Sequence, residues 1–110
     1  MQSFDNSRGG DQLDALIASS TPLVVEFGAT WCPPCKQLEP VLGELAERFR
    51  GRVHVVSINI ESDPQMAARF HVRSVPTLLA LRDGQVVASQ VGFGRRAPVL
   101  SLFEELLGIG

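Results

Sequence analysis

The run Leu23-Val24-Val25-Glu26-Phe27 is apolar on both faces of an extended chain, interrupted by a single carboxyl at Glu26. A strand of that kind has no face to give to water, so it belongs in the middle of a sheet with packed layers on both sides. The fold class follows once the order of the other elements is added to it. The apolar neighbours on both sides favour a buried Glu26 over one that faces solvent at a strand edge. A carboxyl buried in this way should have a raised pKa.

The residues beyond this strand narrow the chemistry. Trp31-Cys32-Pro33-Pro34-Cys35 contains both cysteines of the chain and opens a segment in which Leu38, Leu42, Leu45 and Phe49 fall at helical spacing. Residues three apart in a first helical turn have Cα atoms about 5 Å apart, within the reach of a disulfide. The spare N–H groups and positive dipole end of the helix stabilise an anion, here a Cys32 thiolate. A strand leading into Cys-x-x-Cys at a helix start points to reversible dithiol–disulfide exchange. The competing reading is half of a zinc site. It would need two more ligands, and the available His54 and His71 have a separation that matches no common ligand pattern.

The remaining elements are set by pattern. Asp11 is placed to cap a helix carrying Leu13, Leu16 and Ile17 on one face. Pro40 lies inside the helix after Cys35 and is expected to kink it. Val53 to Ile60 reads as a second strand, and Asp63-Pro64 as a cap and first residue of a short helix through about Phe70. Thr77 to Leu81 and Val86 to Val91 read as two strands joined by the tight-turn signal Asp83-Gly84. Val99, Leu102, Phe103, Leu106 and Leu107 then form one face of a last helix, with Pro98 near its start and Gly108 at its end. With a further short strand near Ser3-Phe4, the expected α/β fold has a central mixed sheet of four to five strands. Helices flank it on both faces, and an antiparallel hairpin precedes the C-terminal helix.

At 110 residues this is one expected domain, residues 1–110, long enough to bury a core. A net charge of −2 supplies no basic field for nucleic acid or anionic membrane. The adjacent pair Arg95-Arg96 is too short for a patch and reads as a solvated helix start. No apolar stretch is long enough to span a membrane, and the polar stretch from Met1 to Asp14 lacks the pattern of a signal peptide. A cytoplasmic location is the expectation. Two cysteines in that reducing setting rarely serve as a structural staple.

The chain resembles the thioredoxin family over nearly its whole length. The resemblance is carried by Val24 to Phe27, Ala29-Thr30-Trp31-Cys32-Pro33-Pro34-Cys35-Lys36, Pro40, Asn59-Ile60 with an acid after it, Ser74-Val75-Pro76-Thr77-Leu78, Asp83-Gly84 and Val91-Gly92. Four positions depart from the usual pattern. Pro33 stands where glycine is most common, Glu26 replaces the more common buried aspartate, Gly28 stands where tryptophan is frequent, and Ser57 where a lysine often lies.

The resemblance implies a protein-disulfide reductase that carries electrons in cell redox homeostasis, with Cys32 and Cys35 themselves as the redox group and no cofactor. It implies disulfide-containing protein substrates and recharging by an NADPH-dependent thioredoxin reductase; a monomer is expected, and the charge balance already gave no expectation of nucleic-acid or membrane binding. Cys32 would attack a substrate disulfide, and the more buried Cys35 would resolve the mixed disulfide. Glu26, beneath the pair, would take the Cys35 proton through a water. A cis peptide before Pro76 would expose the Val75 backbone for strand-like pairing with substrate. Trp31, Pro34, Val75, Pro76, Gly92 and Phe93 would form the apolar substrate surface around Cys32.

Pro33 is the expected tuning residue. It stiffens the loop and deletes a backbone donor near the thiolate, and both effects favour the disulfide and a low reduction potential. Two alternatives remain. Membrane-tethered thiol reductases of cytochrome maturation often carry a Trp-Cys-x-Pro-Cys, but usually with a leader or anchor and an insertion after the second strand, neither of which is visible here. A redox-independent thioredoxin-fold binding subunit would use the apolar surface alone, a role against which the intact cysteine pair argues.

Overall fold

The computed structural model describes residues 9–109, with side chains from Leu13 onward. Its elements, in chain order, are α1 (Gly9–Ala18), β1 (Leu23–Gly28), α2 (Pro33–Arg48), β2 (His54–Asn59), α3 (Pro64–Arg69), β3 (Thr77–Arg82), β4 (Gln85–Val91) and α4 (Arg96–Leu107). The strand expected near Ser3-Phe4 lies outside the described residues.

Every residue of β1 is buried, and the strand order β2-β1-β3-β4 puts it inside the sheet. It pairs parallel to β2 and antiparallel to β3, and β3 pairs antiparallel to β4. The alternation of side chains along β1 assigns its two faces. Leu23, Val25 and Phe27 join Leu13, Val56, Ile58, Met66, Leu79 and Leu81 in a core under α1 and α3. Val24 joins Leu38, Leu42, Leu45, Phe49, Leu78, Val99, Phe103 and Leu106 in a second core under α2 and α4. By the same alternation Glu26 and Gly28 lie on the α2 side, beneath the helix whose first turn holds Cys35.

The hairpin turn is built as its sequence asks. Asp83 and Gly84 have φ of 53° and 76°, the positive values that a type I′ loop requires at both central residues. Glycine reaches that region without strain, and its missing β-carbon keeps Ile17 of α1 clear, since a Cβ there would lie 3.2 Å from the Ile17 methyl.

Several boundaries differ from the sequence expectation. Helix α1 begins two residues before Asp11, which therefore lies inside the first turn and not at its cap. Asp63 occupies the cap position of α3, but its side chain makes no cap bond. The turn before α3 is instead tied by Ser62 and Asp63 N–H donating to the Asn59 carbonyl at 3.1 and 2.9 Å. Arg96 is more than a solvated helix start: it forks onto Glu44 of α2 at 2.6 and 3.1 Å. Pro40 lies within α2 on its exposed side, where solvent takes the carbonyl that proline leaves without a donor. No helix among the described residues is long and apolar enough to cross a membrane.

Candidate active site

Cys32 is the N-cap of α2, and Pro33 and Pro34 are its first two residues. Proline suits those positions because the N–H it lacks has no partner within the helix. The consequence is that the first N–H the helix offers belongs to Cys35. That group donates to Cys32 Sγ at 3.2 Å. One backbone donor therefore faces the sulfur that a glycine at 33 would supplement. The two cysteines are joined as a disulfide, with Cα atoms 5.3 Å apart. Both are 2 % exposed, so the expected difference in burial is absent in this bridged form. What separates them is position, Cys32 at the rim where α2 starts and Cys35 inside its first turn.

Glu26 is also 2 % exposed, which rules out the solvent-facing edge. The parallel register sets Glu26 beside Ser57 and Gly28 beside Asn59. Ser57 Oγ donates to Glu26 Oε1 at 2.6 Å. Burial pushes the Glu26 carboxyl up from an ordinary 4.5 to about 7, against a downward pull from the Ser57 hydroxyl and with a further push from the Glu39 charge.

Gly28 explains how the longer acid fits. A β-carbon there would lie 2.5 Å from Glu26 Oε2 and 3.3 Å from Cys35 Sγ. Glu26 thus fills part of the space that a side chain at 28 would need. The same two distances hold the carboxyl oxygen and the sulfur within about 6 Å of each other, a span that one water bridges. Around them lies a cavity of about 210 Å³ lined by polar groups from the ends of β1 and β2, including Ser57, Asn59 and Ser62, and by Glu39. Glu39 is four residues beyond Cys35, on the same helix face.

The front of the site is apolar. Val75 packs with Ile60 against Ala29, Cys32 and Cys35. The Val75–Pro76 peptide is cis, and among the described residues the N–H and C=O of Val75 take no hydrogen bond. Gly92 N–H donates to the Pro76 carbonyl at 2.8 Å, which brings the end of β4 alongside. Phe93 is half-buried and packs onto the core under α4. Trp31 is 62 % exposed, so it is a surface group and not a core aromatic. Its Nε1 donates to Glu61 at 3.1 Å, Thr30 donates to the same carboxylate at 3.3 Å, and Glu61 N–H donates to Asn59 Oδ1 at 2.8 Å. The sequence alone assigned no role to Glu61, Glu39 or Ser57. The signal for Ser57 was the strand register, and for Glu39 the four-residue step along α2.

The thioredoxin family model matches residues 8–104. The chain belongs to the thioredoxin family. Thioredoxin of Haemophilus influenzae is 48 % identical over 77 residues, covering 70 % of this chain and 72 % of that one. Thioredoxin C-2 of Corynebacterium nephridii is 38 % identical over 101 residues, 92 % of this chain and 90 % of that one. Among solved structures, a mutant thioredoxin of Halobacterium salinarum superposes with a TM-score of 0.80 at 30 % identity, over 94 % of this chain and 88 % of that one. A thioredoxin of Nicotiana alata gives 0.82 at 27 % identity, over 97 % and 92 %. Thioredoxins are disulfide oxidoreductases, and this chain is one, with the Cys32–Cys35 pair as its redox-active disulfide. The family needs no cofactor beyond that disulfide and acts on disulfide-containing proteins, recharged in general by a thioredoxin reductase. Neither the cytochrome-maturation reading nor the redox-independent one is favoured by these relatives.

Proposed function

We propose that Cys32 is the attacking thiolate and Cys35 the resolving thiol of a single-domain, monomeric protein-disulfide reductase. Cys32 attacks a substrate disulfide, which forms a mixed disulfide and releases one substrate thiol. Glu26 takes the Cys35 proton through a bridging water. The Cys35 thiolate then attacks Cys32 Sγ, the second substrate thiol leaves with a proton, and the Cys32–Cys35 bridge closes. Two electrons have passed to the substrate. The observation that carries this reading is the buried carboxyl behind the bridged pair, with Glu26 Oε2 and Cys35 Sγ within about 6 Å.

Substrate docks across Trp31, Pro34, Val75, Pro76, Gly92 and Phe93. The unpaired Val75 backbone supports strand-like pairing with an extended segment, which reads no particular side chain and so permits broad recognition. Recharging by an NADPH-dependent reductase and a cytoplasmic setting belong to the same reading, since a reducing dithiol needs a supply of electrons. Insulin reduction tests it. Wild type is expected to turn over and Cys32→Ser to be inactive. Activity that survives in Cys32→Ser would overturn the assignment.

A further inference from the structure

Disulfide exchange uses the front of the site, where Trp31 and Val75 flank Cys32. The cavity behind Cys35 serves that exchange only as a path for a proton, and no substrate group is placed in it. Cys35, Glu26 and Gly28 all line it, and a side chain at residue 28 would crowd both Glu26 Oε2 and Cys35 Sγ. Glu26 Oε1 is held by Ser57, whereas Oε2 has no protein partner among the described residues and faces the space over Gly28.

We propose that this cavity is a second entrance to the dithiol, through which small neutral hydroperoxides reach Cys35 from behind and are reduced. The volume of about 210 Å³ matches several waters at about 30 Å³ each. Hydrogen peroxide or a short alkyl hydroperoxide fits, and a peptide disulfide does not. The lining hydroxyls and amide of Thr30, Ser57, Asn59 and Ser62 suit a polar guest. The carboxyls of Glu26 and Glu39 disfavour an anionic one.

The chemistry balances with the groups present. Glu26 takes the Cys35 proton, and the thiolate attacks one peroxide oxygen. The S–O bond forms as the O–O bond breaks, and the departing oxygen takes the proton back from Glu26, leaving as water or an alcohol. Cys35 is now a sulfenic acid. The Cys32 thiol attacks its sulfur, water leaves, and the Cys32–Cys35 disulfide closes. The dithiol has lost two electrons and the hydroperoxide has gained them. This step rests on the reading that Glu26 exchanges a proton with Cys35, and the test separates the two.

In the reduced Cys32→Ser protein only Cys35 can react. Its modification is monitored by mass spectrometry with hydrogen peroxide, neutral iodoacetamide and anionic iodoacetate. Iodoacetamide is expected to react at least tenfold faster than iodoacetate, and Glu39→Lys to narrow that gap. Ser62 is exposed at the cavity wall, so Ser62→Phe plugs the opening without entering the core, and Ser62→Leu serves as a second plug. Either is expected to slow peroxide oxidation of Cys35 at least tenfold. Placed in the chain with both cysteines, either leaves insulin reduction within twofold. Oxidation of Cys35 that is indifferent to both plugs, or iodoacetate as fast as iodoacetamide, would overturn the entrance. Loss of the plug effect with insulin turnover intact condemns the entrance alone. Insulin turnover unaffected by Glu26→Gln condemns the proton role.

Discussion

Glu26 and Gly28 share one volume: the carboxyl of the first stands where the second would carry its β-carbon, 2.5 Å away. Two departures from the family pattern, an acid one carbon longer and a missing aromatic, therefore have one steric cause. Ser57 completes the set by holding the other carboxyl oxygen.

That shared volume makes the two positions energetically coupled. Gly28→Ala forces the Glu26 carboxyl from its place and is expected to cost about 1–3 kcal/mol in denaturant unfolding. Glu26→Asp withdraws the carboxyl by one carbon, so in the Gly28→Ala background it should recover part of the loss. A double-mutant cycle with no coupling would mean that the two side chains do not compete.

The raised Glu26 pKa sets a pH dependence of stability. Below pH 4.5, its value in the unfolded chain, the group is protonated in both states. Between 4.5 and about 7 the unfolded chain releases a proton that the folded one keeps, so stability falls with rising pH. Above 7 the loss is complete, at about 3 kcal/mol, and the curve is level in this group. Glu26→Gln should flatten that slope in urea unfolding of the oxidised protein at pH 5 and pH 8.

Ser57→Ala removes the donor that favours the ionised carboxyl. The Glu26 titration should move upward by about one pH unit, the equivalent of one hydrogen bond to a charged acceptor. Carboxyl infrared or NMR titration reads it directly. In insulin reduction the pH midpoint for resolution should move the same way.

Pro33→Gly restores an N–H beside Cys32 and loosens the first turn. Both effects favour the reduced form, so the potential should rise by on the order of 30 mV. Equilibration with glutathione buffers measures the change. A potential that stays the same or falls would overturn the tuning role assigned to the proline.

Glu61→Ala frees Trp31 from its only charged partner among the described residues. Ordering the indole then falls to the substrate, at about 0.5–1.5 kcal/mol. The expected result is a KM raised about two- to tenfold for a protein disulfide, with kcat within twofold.

Much of the architecture was legible in the chain. Leu23 to Phe27 announced a central strand because a two-sided apolar run has nowhere else to go, and Asp83-Gly84 announced its hairpin because few residues accept positive φ. The cysteine pair could be placed at a helix start from Pro33 and Pro34. Three-dimensional neighbours were harder. Ser57 meets Glu26 through a strand register across 31 positions, and Glu61 reaches Trp31 over 30, so neither partner is marked by local spacing. Helix ends slipped for a different reason. Asp11 and Asp63 are good caps in isolation, but α1 extends past the first, and N–H groups of Ser62 and Asp63 donating to the Asn59 carbonyl tie the turn before the second. The equal burial of the two cysteines belongs to the bridged form, which the chain's sequence does not describe.

The sulfurs pack in a small cluster of their own with Ala29, apart from the two large cores on either side of the sheet. The moving part of this molecule is thus mounted at its margin. Opening or closing it therefore bears on the interior through Ile60, which packs against both this cluster and the core under α1 and α3.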